Sequence, residues 1–284
     1  MDDFLWWRDG VIYQIYPRSF QDSDGDGLGD LPGITRRLDY LAELGVDAIW
    51  LSPFYPTPDK DFGYDIADHC AVDPRFGTLE DFDELLRQAH RRGMRVVLDL
   101  VLNHTSDQHP WFRESSASHL SPKRDWYLWR DALPSRRRGK DLPNNWLAVF
   151  GGPAWEWHAA SGQYYLHLFV KEQPDLNWRN PAGRQAQLDV VRFWLARDVD
   201  GFRLDAFNAY FKEAELKDNP TRPHLLPPLR LLHHNDADQP EMMPLLGELR
   251  QILDSYPERY AVGETFLASV EKAASYCGPQ ALHG

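Results

Sequence analysis

The sequence predicts an α/β chain of repeated strand, loop and helix units. Three observations carry that expectation. Short apolar runs rich in β-branched and aromatic residues recur at 11–16 (VIYQIY), 46–51 (VDAIWL), 94–102 (MRVVLDLVL), 199–204 (VDGFRL) and 259–263 (RYAVG), and read as five strands. Between them lie stretches with apolar residues at helical spacing. The polar residues able to do chemistry collect just past the C-terminal ends of strands 2 to 5, where barrel enzymes hold theirs. Two architectures fit this alternation, an open doubly wound sheet and part of a (β/α)8 barrel. The first strand is not followed by GxGxxG, and Gly25, Gly27 and Gly29 alternate with aspartates that repel a pyrophosphate. The barrel is therefore the expectation, and no organic cofactor is expected.

Each element has its own local cause. After strand 1 comes a Gly/Asp loop, residues 22–30 (DSDGDGLGD). Ile34, Leu38, Leu41 and Leu44 then form one helical stripe that stops at Gly45. Thr78 with Asp81 three residues later makes a capping box, with Asp in the usual place of Glu, ahead of Leu79, Phe82, Leu85, Leu86 and Ala89. Strand 3 is apolar nearly throughout, as a parallel strand covered on both faces should be. From 105 to 177 the rhythm breaks into Trp, Pro, Gly, Arg and Ser, with one hairpin-like stretch at 164–170. We read an inserted small domain there, because aromatic content stays too high for a linker. The division expected is 1–104 for the first part of the barrel, 105–177 for the insertion and 178–284 for the barrel continued. Asn180-Pro181 caps the next helix, and Leu245, Leu246, Leu249, Ile252 and Leu253 mark another.

Composition narrows the function classes. The 284 residues carry a net charge of −12, which argues against a nucleic-acid partner and against attachment to anionic lipid. No run is long and apolar enough to span a membrane, and the first residues lack a signal-peptide pattern. Cys70 and Cys277 form no metal or disulfide framework, so free thiols and a cytoplasmic location are expected. Eleven tryptophans, with 12 Tyr and 14 Phe, offer stacking platforms for sugar faces, or ordinary core. The basic run Arg136-Arg137-Arg138-Gly139-Lys140 reads as a solvated loop.

Strand 3 leads from Asp99 to Asn103-His104, strand 4 to Arg203-Leu204-Asp205, and strand 5 to Gly263-Glu264. In a barrel, Asp205 and Glu264 then stand on adjacent strands roughly 5 Å apart, the separation of a retaining glycosidase's nucleophile and acid/base. A salt-bridged interior without catalysis gives the same spacing. Arg203 faces the side of Asp205 and favours its ionised form, so Asp205 is the better nucleophile. Glu264 has no cation near it in sequence and is the better proton donor. Asp22, Asp24, Asp26, Leu28 and Asp30 offer oxygens at alternating positions, which suits Ca²⁺ or Mg²⁺ as well as it suits a plain acidic turn. Tyr64, beside Asp61 and Asp65, suits a pyranose ring.

Assembled, these residues resemble the α-amylase superfamily of glycoside hydrolases (family 13), most closely its α-glucosidase and oligo-1,6-glucosidase branch. The likeness rests on residues 7–20 (WRDGVIYQIYPRSF), Gly63-Tyr64-Asp65, 99–104 (DLVLNH), 173–177 (QPDLN), 201–208 (GFRLDAFN) and Gly263-Glu264, in that order. It implies an incomplete (β/α)8 TIM-barrel catalytic domain with a small domain after strand 3. It also implies that Asp205 is the nucleophile and Glu264 the general acid/base. His104 and Arg203 would contact the glucose, Tyr64 would stack beneath it and Asp61 would bind its far hydroxyls. Asp99 would be structural, holding Arg203. The resemblance raises the expectation that the Asp22, Asp24, Asp26, Leu28 and Asp30 loop holds a structural Ca²⁺ or Mg²⁺. Ala206 follows the nucleophile, where alanine resembles an α-1,4 preference and valine an α-1,6 one. Phe207, bulkier than usual, could reshape the same wall.

The implied activity is a retaining α-glucosidase on short α-1,4 maltooligosaccharides. The alternatives are an oligo-1,6-glucosidase, a transglucosylating or sucrose- or trehalose-acting relative, or a catalytically incomplete sugar-binding protein. The sequence departs from the family's pattern in lacking strands 6 to 8, the C-terminal β domain and the third catalytic carboxylate. His234-Asn235-Asp236 lies in the wrong place for it. The expectation is thus the N-terminal part of a longer enzyme, with the remainder as its partner and an open, apolar edge on strand 5.

Overall fold

Side chains alternate between two buried faces along five parallel strands, and this alternation organises the molecule. The structure is a computed structural model describing residues 4–133, 142–226, 230–265 and 269–284; the basic run at 136–140 lies outside the described residues. In chain order the first elements are α1 (Trp6–Asp9), β1 (Ile12–Ile15), α2 (Pro17–Phe20), α3 (Leu31–Arg36), α4 (Leu38–Glu43), β2 (Ala48–Leu51), α5 (Leu79–Arg91) and β3 (Arg95–Leu100). Next come α6 (Pro110–Ala117), β4 (Trp129–Arg130), β5 (Trp155–His158), β6 (Gln163–Leu166) and α7 (Pro181–Leu195). They are followed by β7 (Gly201–Leu204), α8 (Met242–Asp254), β8 (Tyr260–Gly263) and α9 (Val270–Ser275).

The main sheet runs β1-β2-β3-β7-β8, every pair parallel. The order never reverses, so there is no switch point of a doubly wound sheet. The chain forms five consecutive strands of a (β/α) barrel. Outward residues Ile49, Leu51, Val96, Leu98, Leu100, Phe202 and Leu204 join Leu85, Leu188, Leu195, Leu245 and Leu249 of the helices in one core. Fully burying each such side chain contributes about 1.5–3 kcal/mol. Inward residues Ala48, Val97 and Tyr260 meet Trp6, with Ile12, Trp50 and Val262 against them. The outward face is thus covered by helices and much of the inward face by packing on Trp6, which explains the nearly continuous apolar sequence of the strands.

The helix starts follow their caps. Thr78 and Asp81 make a reciprocal capping box on α5, and the Asn180 side chain accepts the Gly183 N–H at the head of α7. The expected single helix at 34–44 is two. It begins earlier, at Asp30, whose carboxylate accepts the Gly33 N–H, and breaks at Arg37 (φ −99°, ψ 0°). The backbone N–H of Arg37 turns back to the Ile34 carbonyl, a tighter turn that ends α3 before α4 starts.

The inserted sheet has the antiparallel order β4-β6-β5. Of the hairpin-like stretch expected at 164–170, Tyr164–Leu166 belong to the central strand β6, which is paired on both edges, and residues 167–170 lie outside the sheet. The bridge His104↔Asp175 fastens the end of the insertion to the segment following β3, and Tyr127↔Leu176 ties that end to the residues just before β4. The edge of β8 is not bare, contrary to expectation. His283 N–H donates to the Ala261 carbonyl and Gly263 N–H to the Gly284 carbonyl, each at 3.0 Å. Residues 278–282 turn the chain back after α9 and bring it there.

Candidate active site

Asp99 of β3 and Arg203 of β7 are register partners and point inward on neighbouring strands. Asp205 lies two residues past Arg203 on the same face, and Glu264 is the first residue beyond β8. The backbone delivers these last two by continuing the ladder, with Asp205 N–H to the Leu100 carbonyl and Glu264 N–H to the Leu204 carbonyl, each 2.9 Å. Glycine is required at 263, because a Cβ there would collide with the Phe207 ring and Leu282.

One guanidinium ties the cluster together. Arg203 Nη1 lies 2.6 Å from Asp99 Oδ1 and 2.7 Å from Asp205 Oδ1, while Nη2 lies 2.6 Å from Glu264 Oε2. The expectation that Glu264 lacks a neighbouring cation is therefore wrong. The pleat brings Arg203 of the adjacent strand to it, which spacing along the chain cannot show. Glu264 also accepts the Ala206 N–H at 3.3 Å, and its side chain remains 48% exposed, so it stands on the open side of the cluster.

Burial raises the Asp205 carboxyl well above the ordinary carboxylate range; Arg203 opposes this, and Asp99 and Glu264 add to it. The neighbouring cation expected to keep Asp205 ionised is thus outweighed by burial and the two other carboxylates. Burial likewise pushes Asp99 up to about 6 against the pull of Arg203. Burial works against the charge of Arg203, but Asp99, Asp205 and Glu264 outweigh it and raise its pKa. Three carboxylates thus share one cation, Asp99 and Asp205 buried and Glu264 open to solvent.

Tyr64 donates its hydroxyl to Asp99 Oδ2 at 3.2 Å, its ring 5.9 Å from the Arg203 guanidinium carbon. His104 Nε2 lies 3.2 Å from the Tyr64 carbonyl oxygen. Asp61 accepts from Gln173 Nε2 at 3.0 Å, and burial raises its pKa while that bond opposes the rise. Sequence reasoning missed Gln173 and Phe169 as site residues. Gln173 touches both Asp61 and His104, and the Phe169 ring lies 5.0 Å from that of His104. Gln173 was visible only as the first residue of QPDLN.

Ala206 sits in the left-handed region (φ 43°, ψ 35°) and is buried. Phe207 is not a wall of the site. Its ring is buried edge-on against Tyr276 at 4.9 Å, on the outer side of the strand. The sheet's concave face holds a cavity of about 370 Å³ lined by Ile12, Trp50, Val97, Tyr260 and Val262, with Arg203 and Glu264 at its rim. A larger groove, about 710 Å³, runs along the outside of α5 and holds none of these carboxylates.

In the acidic loop, carboxylate oxygens of Asp22, Asp24 and Asp30 converge within 4.8 Å of one another. Among the described residues none of the three joins a salt bridge. Asp26 is not in the cluster: its carboxylate accepts the Leu28 N–H. The donor set is hard oxygen throughout and fits a divalent ion of the Ca²⁺ or Mg²⁺ kind.

Carboxylates gathered by one arginine at the C-terminal ends of parallel barrel strands lie where barrel enzymes hold their catalytic groups, in an arrangement able to support acid–base and nucleophilic chemistry. The comparisons specify it further. Residues 14–283 match the family described as Alpha amylase, catalytic domain, and the chain belongs to that family, in its α-glucosidase and oligo-1,6-glucosidase branch. It is 54% identical over 269 residues to a probable α-glucosidase of Rhizobium meliloti, covering 91% of this chain and 48% of that protein. It is 48% identical over 273 residues to a probable oligo-1,6-glucosidase of Bacillus subtilis, covering 96% and 48%. The crystal structure of the α-glucosyl transfer enzyme XgtA superposes with a TM-score of 0.94 at 51% identity, covering 99% of this chain and 54% of that one. The chain spans about half the length of the curated relatives it matches. Among the described residues no helix is long and apolar enough to cross a membrane.

Proposed function

We propose that the protein processes α-glucosides with retention, moving a terminal glucosyl group to water or to a sugar hydroxyl. The observation that carries this reading is the single guanidinium of Arg203 bound to Asp205 and Glu264 at once. Asp205 attacks the anomeric carbon while Glu264 protonates the departing glycosidic oxygen, and the C–O bond breaks to leave a glucosyl ester on Asp205. The incoming water or hydroxyl then gives its proton to Glu264 as its oxygen displaces Asp205. Arg203 and His104 contact the sugar, Tyr64 stacks beneath it, Asp61 binds its far hydroxyls, and Asp99 holds Arg203.

The names of the relatives span α-glucosidase, oligo-1,6-glucosidase and glucosyl transfer. They support the broad reaction, with transfer and α-1,6 cleavage included, better than a maltooligosaccharide hydrolase alone. The small Ala206 supports the narrower α-1,4 preference. A fluorinated α-glucoside tests the core of the reading. It should add one glucosyl mass to the peptide containing Asp205, with turnover of at least one of maltose, isomaltose, trehalose and sucrose. Turnover with the label on another residue, or none at all, overturns it.

We also propose that Asp22, Asp24 and Asp30 hold a structural Ca²⁺, with Asp26 and the Leu28 carbonyl available nearby. The ion would bind the acidic loop to the head of α3, which Asp30 caps. Chelation should lower the melting temperature by about 2–5 °C and added Ca²⁺ should restore it. An unchanged transition would remove the ion from the account.

A further inference from the structure

His104 is buried and neutral, its imidazole pulled down to about 4 chiefly by burial. A neutral imidazole carries its proton on one nitrogen only. Nε2 has two neighbours with opposite demands. The Tyr64 carbonyl oxygen, 3.2 Å away, can only accept, and asks for the proton there. The Gln173 amide nitrogen, 3.0 Å away, asks for a lone pair, because the Gln173 oxygen already accepts the Val170 N–H. The contacts at Nε2 do not choose between the tautomers.

The choice falls at Nδ1, where Asn103 Nδ2 stands 3.2 Å away. Either end of an Asn103 amide would fit that gap, one as donor and the other as acceptor. Lys212 decides which end is presented. Its Nζ lies 2.8 Å from Asn103 Oδ1 and 2.6 Å from Asp175 Oδ2. The side chain is 1% exposed and Asp175 is fully buried. An ammonium held by a carboxylate can only donate, so the amide oxygen turns to Lys212 and the amide N–H to His104. Nδ1 must then accept, and the proton goes to Nε2.

We infer that Lys212 is a positioning residue that, acting through Asn103, fixes His104 as its Nε2–H tautomer. Three separate segments meet in this chain of contacts: the one following β3, the end of the insertion, and the one following the short turn at Phe207–Ala209. A lone lysine behind the buried run Ala209, Tyr210, Phe211 is its only mark in the sequence. The consequence for the reaction rests on the proposed function, in which His104 contacts the sugar: an Nε2–H donates to a hydroxyl oxygen, whereas a bare Nε2 does not.

The test is two-bond ¹H–¹⁵N NMR of histidine-labelled protein, with His104 assigned from the loss of its signals in His104→Gln. The wild type should show a bare Nδ1 and a protonated Nε2. Lys212→Met frees the amide to turn, so the His104 signals should move toward the Nδ1–H form, with kcat/KM lower by about tenfold. Asn103→Asp keeps a partner for Lys212 and offers His104 only acceptors, so Nδ1 should gain a proton; this variant decides the matter if Lys212→Met does not fold. A wild-type Nδ1–H, a folded Lys212→Met with unchanged His104 signals, or a bare Nδ1 in Asn103→Asp overturns the inference. These readouts need no turnover, so failure of the glucosyl label on Asp205 is a separate result.

Discussion

Replacing Arg203 by lysine should lower kcat/KM by about a thousandfold or more and destabilise the fold by up to about 3 kcal/mol. The guanidinium reaches Asp99 and Asp205 through Nη1 and Glu264 through Nη2. A lysine supplies one compact charge and no planar fork, so it cannot satisfy three carboxylates at these positions. An ammonium at the position of Nη1 leaves the half-exposed Glu264 without its partner, and one drawn toward Glu264 strips Asp99 or Asp205, where breaking a buried pair costs about 3–5 kcal/mol. The catalytic loss has two sources. The distance between Asp205 and Glu264 is no longer set by a rigid group between them. Burial, which already raises Asp205, then acts against a weaker opposing charge, which favours the protonated form of the proposed nucleophile further. Removing a single preorganised electrostatic contact typically costs about 10²–10³ in rate, and here the contact is shared by both reacting groups. Urea unfolding together with rates on p-nitrophenyl α-glucoside measures both effects. A variant within threefold of wild type would mean that the carboxylates are positioned by the backbone alone, with Arg203 a passive counter-ion.

The sequence and the structure agree most closely where one local cause suffices. The five strands, the Thr78 and Asn180 caps and the insertion after the third strand were legible, because apolar period and capping chemistry act within a few residues. Asp205 and Glu264 were legible for a related reason: their places at strand ends need only the barrel's parallel register. What escaped depends on contacts across strands. Glu264 acquires Arg203 from β7, and Asp205 acquires burial that no spacing reveals. Phe207 is core packing, because the left-handed backbone at Ala206 sends the chain outward right after Asp205. Gln173, Phe169, Asn103 and Lys212 enter the site from segments far apart in sequence. Their polar partners are fixed by the way the insertion folds back onto β3.

Asp99 should make the stability of the protein fall as pH rises from about 4 to about 7, and Asp99→Asn should remove much of that slope. The carboxyl is 1% exposed, with Arg203 at 2.6 Å and the Tyr64 hydroxyl at 3.2 Å. Burial still dominates and places its folded pKa at about 6, against about 3.9 in an unfolded chain. The folded state therefore takes up the proton first as pH falls. The stabilising contribution of that proton is fully present below about pH 4 and is lost as pH rises through about 6. A shift of about 2 units corresponds to about 3 kcal/mol, shared with Asp205 because the two carboxyls titrate against the same guanidinium. An asparagine bears no charge at any pH, and Arg203 keeps Asp205 and Glu264. The stability of Asp99→Asn relative to wild type should accordingly improve by about 2–3 kcal/mol between pH 4 and pH 7, whatever constant offset the lost ion pair introduces. A difference that stays flat or reverses would mean that Arg203 keeps Asp99 ionised throughout. The same substitution should depress activity, since Arg203 would lose the carboxylate that holds it from β3. Asp99 then combines two opposing effects: its charge weakens the fold near neutral pH, and its contact with Arg203 fixes the direction of the guanidinium.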